Sequence, residues 1–267
     1  MTDASRPYST AGFRRDEYTV DGIVSVVYSA GHGPPVVYLH GGGSYHGFEW
    51  TRDWLDRFRV ILPYHPGYGE SADDPDASSV DDLVVHYVRL FELLGLQRLK
   101  LVGASLGGWL AAQFALTQPG RIERLVVVAP AGLLAPAYPY LDFAAVPPAD
   151  LPHQLVSDPA FIASFWPAQP DARLAALLAR EAAATGRILR DLPAADRKLR
   201  RRLPRLNLPT LVLWGERDRV LPAGLAGEWA SLLPDGRVEI IADGGHLLLD
   251  EFPAARAVAA RFLDSHG

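Results

Sequence analysis

Residues 99–116 read LKLVGASLGGWLAAQFAL. The stretch opens as an apolar run suited to a buried strand, breaks at a cluster of small residues, and resumes with apolar residues at helical spacing. At the break, Gly103-Ala104-Ser105-Leu106-Gly107 is G-x-S-x-G between a strand and a helix. In that setting the motif has a mechanical meaning. A tight strand-to-helix turn holds the serine in a strained backbone geometry and projects its hydroxyl outward. The flanking glycines are needed because a Cβ at either position would crowd the neighbouring strand and helix. The Leu106 N–H then sits at a helix N-terminus, where the dipole favours developing negative charge. A glycine-softened turn carrying an incidental serine would read the same way, so the rest of the chain has to decide.

Working outward, strands alternate with helices. EYTVDGIVSVVYSA (residues 17–30) reads as a hairpin around Asp21-Gly22, and PPVVYLH (34–40) and FRVILPY (58–64) read as short buried strands. GFEWTRDWLDRF (47–58) between them has helical spacing. SVDDLVVHYVRLFELLGL (79–96) is a stronger helix, with Ser79 as N-cap, Asp81 and Asp82 in its first turn and Gly95 at its end. After RLVVVAP (124–130) the rhythm breaks into a stretch rich in Ala, Pro and aromatics, then resumes with strands LPTLVLWG and RVEIIAD and helices AGLAGEWASLL and PAARAVAARFL. Such alternation predicts an α/β fold: a mostly parallel central sheet flanked by helices. The interruption predicts a helical insertion over the strand ends, dividing the chain into core (1–132), insertion (133–206) and core (207–267).

A serine hydroxyl needs a base to take its proton, and the base needs an acid to orient it. ERDRVLP follows one late strand and offers Asp218. GGHLLLDEFP follows the last strand and offers His246. Both fall on the same sheet edge as Ser105, in the order nucleophile, acid, base. Glu216 lies earlier in the acid turn and is the weaker alternative. YLHGGGSYHGFEW (38–50) places Gly41, Gly42 and Gly43 after a central strand, where their N–H groups can reach an oxyanion without side chains in the way.

Together these pieces resemble the α/β-hydrolase family. His40-Gly41-Gly42-Gly43 is similar to its HGGG-type oxyanion loop, GASLGG to its nucleophile elbow, GERD to its acid turn, and GGH to its histidine loop. PYHPGYGES (63–71) is similar to its D-x-x-G-x-G-x-S loop, with Tyr64 or a near neighbour in place of the aspartate. The insertion matches the position of the family's cap. The resemblance implies a Ser105-His246-Asp218 triad, with Leu106 and Gly42 as the main oxyanion donors. It also implies hydrolysis of a small-molecule ester, lactones included, with water as co-substrate and no cofactor. Carbon–carbon bond hydrolases share this fold and triad. Their proline-containing oxyanion loop and the Trp after their catalytic His are absent here, where Leu247 follows His246. A low-turnover binding protein of the same fold is the third reading. Ser105 at the elbow argues against the haloalkane and epoxide hydrolases, whose nucleophile is an aspartate.

Composition narrows the classes. In 267 residues there is no cysteine and a net charge of only −5, so disulfides, thiolate zinc sites and nucleic acid are not expected. No histidine pair has metal-site spacing. The N-terminal stretch lacks the apolar centre of a secretory signal and no run is long enough to span a membrane, so a cytoplasmic protein is expected. His46, Trp109, Phe161, Phe165 and Trp166 are candidate pocket residues, with His65 beside them. Asp243 and Asp250 read as turn and helix-cap residues, His40 as a packed histidine, and RKLRRRL (197–203) as the solvated face of an insertion helix.

Overall fold

The hairpin at Asp21-Gly22 forms, with both residues at positive φ (49° and 89°), as two-residue hairpin turns of the I′ kind require. The computed structural model describes residues 9–147, 149–167, 169 and 171–265. The hairpin joins β1 (Arg14–Val20) to β2 (Ile23–Ala30). Then follow β3 (Pro35–Leu39), β4 (Arg59–Pro63), α1 (Val80–Leu93), β5 (Leu99–Ala104), α2 (Leu106–Thr117) and β6 (Ile122–Val128). The insertion carries α3 (Leu151–Leu155), α4 (Ala172–Leu189) and α5 (Leu192–Arg202). The chain closes with β7 (Thr210–Gly215), α6 (Leu225–Leu232), β8 (Gly236–Ile241), α7 (Leu248–Glu251) and α8 (Pro253–Asp264).

The strands form one eight-stranded sheet in the order β1-β2-β4-β3-β5-β6-β7-β8. The β1–β2 and β2–β4 pairs are antiparallel and the rest parallel. Strand residues alternate between two cores. Val37, Leu39, Ile61, Leu101, Val127 and Val212 face one side with α1, α2 and α6, while Val36, Tyr38, Val60, Val102, Val126 and Leu213 face the other with α8. The chain reverses direction across the sheet between β3 and β5, the point at which open α/β sheets leave a crevice at the carboxyl ends of their strands. Leu39 pairs with Gly103, so the glycine run and the serine turn leave the sheet side by side.

Ser79 caps α1 as expected, its Oγ accepting the Asp82 N–H at 3.2 Å. Residues 47–58 differ from expectation: only a 3-10 turn forms, Glu49–Trp54. Burial of Trp50, Thr51 and Trp54 on a short link accounts for this. Thr51 closes the tight turn, its N–H and Oγ both donating to the Phe48 carbonyl (3.0 and 2.7 Å). The insertion is anchored by Ala184, Ile188 and Leu199, all buried. Residues 197–203 split: Arg197, Lys198 and Arg201 are exposed, while Arg200 pairs with Asp196 and Glu228 and donates to the Leu134 carbonyl. Among the described residues no helix is long and apolar enough to cross a membrane.

Candidate active site

Ser105 ends the turn after β5 with φ 53° and ψ −118°, a conformation that L residues avoid. Four hydrogen bonds hold it there. Its N–H donates to the Val128 carbonyl (2.8 Å), and its carbonyl accepts from the N–H groups of Gly108 (3.0 Å), Trp109 (3.2 Å) and Ala131 (3.0 Å). The two motif glycines are steric necessities. A Cβ on Gly103 would lie 2.1 Å from the Gly107 carbonyl oxygen, and one on Gly107 would lie 2.1 Å from that of Leu39.

His246 follows β8 and Asp218 follows β7. His246 Nδ1–H donates to Asp218 Oδ2 at 2.8 Å. Asp218 Oδ1 accepts the N–H groups of Val220 (2.8 Å) and Leu221 (2.9 Å), so both carboxylate oxygens are engaged and the side chain is fully buried. This bond fixes the tautomer and leaves the Nε2 lone pair free. Among the described residues, neither Nε2 nor Ser105 Oγ has a hydrogen-bond partner. Glu216 is turned elsewhere, its Oε2 accepting the Asp243 N–H at 3.1 Å.

The glycine run passes directly beside the serine: a Cβ on Gly41 would lie 3.2 Å from Ser105 Cβ. Its three carbonyls are each held by a side chain. His40 Nδ1–H donates to the Gly41 carbonyl (2.8 Å), Thr185 Oγ–H to that of Gly42 (3.1 Å), and His46 Nε2–H to that of Gly43 (3.1 Å). Across a trans peptide the carbonyl and the next N–H point in opposite directions, so each of these bonds aims an N–H. The N–H groups of Gly42 and Leu106 have no acceptor among the described residues, whereas that of Ser44 donates to Glu181 Oε2 (2.9 Å).

The histidines around this loop have assigned states. His40 Nε2 accepts the His65 N–H (3.1 Å), so the ring is neutral with its proton on Nδ1. His65 Nε2–H donates to the His40 carbonyl (2.8 Å) and Nδ1 accepts the Tyr87 hydroxyl. Burial pushes the His40 pKa well down, with His65 adding to it, and burial pushes His65 down to about 4. His65 is completely buried, so the pocket role that the sequence left open to it is not taken up. His46 differs in kind. Its Nδ1 faces Asp250 Oδ1 (2.9 Å) and its Nε2 faces the Gly43 carbonyl, both acceptors only, so the ring is an imidazolium. Burial alone would lower its pKa, but the charge and hydrogen bond of Asp250, with Glu181 and the Gly43 carbonyl, outweigh burial and raise it. Asp250 is therefore an ion-pair partner and not the helix cap expected. With both nitrogens engaged, His46 supports the glycine run and has no polar atom left for a substrate.

Among the candidate pocket residues, Phe161, Phe165 and Trp166 gather with Tyr45 of the glycine loop: Tyr45–Trp166 centroids are 5.4 Å apart and Phe161–Phe165 5.8 Å. Trp109 is elsewhere, buried against Gly132 and Leu199 at the base of α5. Sequence reasoning missed Glu181 and Thr185 on α4 and Glu251 on α7. Glu181 is 1% exposed. It had a signal: Leu174, Leu177, Leu178, Ala184 and Ile188 form an apolar stripe at helical spacing, and Glu181 sits in the middle of it. Glu251 ties the insertion to the histidine loop, accepting from Ser157 N–H (3.0 Å), Ser157 Oγ–H (2.9 Å) and Asp158 N–H (2.6 Å).

Residues 36–260 match the Alpha/beta hydrolase family. The chain is 28% identical over 244 residues to 2-hydroxy-6-oxo-6-phenylhexa-2,4-dienoate hydrolase of Comamonas testosteroni, covering 81% of this chain and 82% of that protein. It is 29% identical over 235 residues to pimeloyl-(acyl-carrier protein) methyl ester esterase of Vibrio campbellii, covering 82% and 89%. A crystal structure of a membrane phospholipase A, a bacterial virulence factor, superposes with a TM-score of 0.77 at 26% identity, covering 96% of this chain and 87% of that one.

Proposed function

The chain belongs to the alpha/beta hydrolase family, and from that premise we propose that it is a serine hydrolase of carboxylic esters with an uncharged, apolar acyl or alcohol group, lactones included. Ser105 Oγ attacks the acyl carbonyl as His246 Nε2 takes its proton, and Asp218 stabilises the imidazolium. The Gly42 and Leu106 N–H groups, flanked by Gly41 and Gly43, bind the oxyanion. Collapse of the tetrahedral intermediate releases the alcohol, which takes the proton from His246. Water, activated by the same histidine, then hydrolyses the acyl-enzyme. The observation that most supports this reading is the 2.8 Å His246–Asp218 hydrogen bond, which leaves Nε2 free as the base. The insertion acts as a cap whose Phe161, Phe165 and Trp166 roof the glycine loop with apolar surface.

The dienoate hydrolase relative favours a second reading, cleavage of a carbon–carbon bond by the same residues. A dienoate is an anion and needs a cationic partner. On α4, Arg187 is paired with Asp73 (2.6 Å), while Arg180 donates to the Gly69 carbonyl and keeps a buried Nε without a partner among the described residues, so Arg180 is the cation this second reading would use.

Stopped-flow kinetics on p-nitrophenyl esters from acetate to octanoate test the proposal. The expected result is a burst followed by turnover, lost in Ser105→Ala by about 10⁶-fold in turnover. A 2-hydroxy-6-oxo-dienoate cleaved in preference to every ester would instead establish the second reading. Turnover of neither by folded protein would move the assignment to a binding function.

A further inference from the structure

The insertion reaches under its own roof into the glycine run. Glu181 and Thr185 stand one turn apart on α4, on the face turned to the core. Glu181 is buried and accepts three hydrogen bonds from two loops. Ser44 N–H reaches Oε2 (2.9 Å), and Gly69 N–H (2.9 Å) and the Ser44 hydroxyl both reach Oε1. Thr185 has one proton to give and donates it to the Gly42 carbonyl, so the 2.6 Å contact with Tyr68 is donated by the tyrosine hydroxyl. Any Cβ on Gly42 would lie 3.1 Å from Thr185 Oγ. Gly42 is thus enclosed by Ser105's neighbour Gly41 on one side and by α4 on the other.

We propose that Glu181 and Thr185 are positioning residues of the oxyanion hole: docking of α4 sets the two peptide planes that follow Gly42, so the cap governs transition-state stabilisation as well as enclosure of the substrate. The physical chain is short. An oxyanion donor counts only if it is aimed before charge develops, because reorienting it during the reaction costs what the bond would gain. Glycines place no steric limit on their own peptide planes. The aim must come from outside. The Gly42 N–H lies in the Gly41–Gly42 peptide, whose carbonyl His40 holds; α4 fixes the two peptides that follow, Gly42–Gly43 through Thr185 on the Gly42 carbonyl and Gly43–Ser44 through Glu181 on the Ser44 N–H, so it aims the Gly43 N–H directly and sets the chain on the far side of Gly42. Lifting α4 releases both at once. The proposal rests on Ser105 being the nucleophile and on the Gly42–Gly43 segment supplying the oxyanion donor.

The test measures kcat and KM on the best p-nitrophenyl ester, and the rate of Ser105 phosphonylation by a fluorophosphonate, which needs the same oxyanion donors and no turnover. Loss of one donor costs about 10²–10³ in rate, so a misaimed one should cost about tenfold to a hundredfold. Thr185→Val is expected to lose that factor in both kcat and phosphonylation with KM within about threefold, and Thr185→Ser to restore both. Glu181→Gln, which faces the Ser44 and Gly69 N–H groups with at most one acceptor oxygen, is expected to move the same way. If it does not fold, the Thr185 pair still decides. Rates within about twofold of wild type in Thr185→Val, a loss confined to KM, or failure of Thr185→Ser to rescue would each overturn the inference. Ser105→Ala separates the levels. If that variant still turns over and is labelled, the nucleophile reading falls and the inference with it. If it is inert while Thr185→Val behaves as wild type, only the inference falls.

Discussion

The serine turn and the glycine run lie side by side at the ends of β5 and β3, yet they are built in opposite ways. The turn is specified by its own glycines and by the backbone of the two strand ends beside it. Gly103 and Gly107 remove the atoms that would collide at 2.1 Å, and the hydrogen bonds to the Ser105 carbonyl come from Gly108, Trp109 and Ala131, close in sequence or on the adjacent strand end. The glycine run is specified from elsewhere. Thr185 reaches Gly42 from 143 residues away, Glu181 reaches Ser44 from 137, and Asp250 reaches His46 from 204. A strained turn needs neighbours that leave no alternative. A flexible run needs partners that choose among many. The two halves of the site should therefore fail differently when perturbed.

The largest effect expected beyond Ser105 itself lies at the acid turn. Asp218→Asn should lower kcat by about 10⁴ by losing the His246 tautomer, while Glu216→Gln should stay within about twofold, since Glu216 is bound to the Asp243 N–H. The reverse pattern would move the acid to Glu216. Next comes Gly107→Ala, which drives a methyl into the Leu39 and His40 carbonyls. A loss of about 3 kcal/mol or more in urea unfolding is expected, with no rescue by any change in the insertion. A mild effect would show that the turn is not sterically closed.

The smallest effect concerns the glycine run's ion pair and has a sign. The His46 pKa is raised, so the stability it contributes is full below the ordinary histidine value of about 6.5 and fades as pH rises through the raised one. In Asp250→Asn burial becomes the dominant influence on His46 and pulls its pKa down, so this contribution now fades as pH falls. Urea unfolding from mildly acidic to alkaline pH should show the wild-type advantage largest on the acid side. Each unit between the two folded-state values is worth about 1.4 kcal/mol. An advantage independent of pH would mean that His46 is not an imidazolium.

Much of this molecule is legible in its sequence. The alternation of β-branched runs with capped helices named the layers, and the hairpin, the Ser79 cap and the positions of Ser105, Asp218 and His246 on one sheet edge all followed from local chemistry and strand order. The helix expected at 47–58 shrank to a 3-10 turn because burial of Trp50 and Trp54 on a short link outweighed spacing. Asp250 departs from its expected cap role for a related reason: its partner, His46, lies 204 residues away. Glu181 left a trace as a lone carboxylate in an apolar stripe, but a stripe cannot name its partner.

The family, the sheet and the serine turn can be read from the sequence, because β-branched runs, caps and the two motif glycines mark them locally, even though one of those glycines makes room for the Leu39 and His40 carbonyls of the neighbouring strand end. How the glycines point, and which histidine is charged, depends on contacts made across the fold. A glycine's peptide plane and a histidine's proton have no preference strong enough to be written locally, so both are settled by whatever acceptor or donor the fold brings within 3 Å or so.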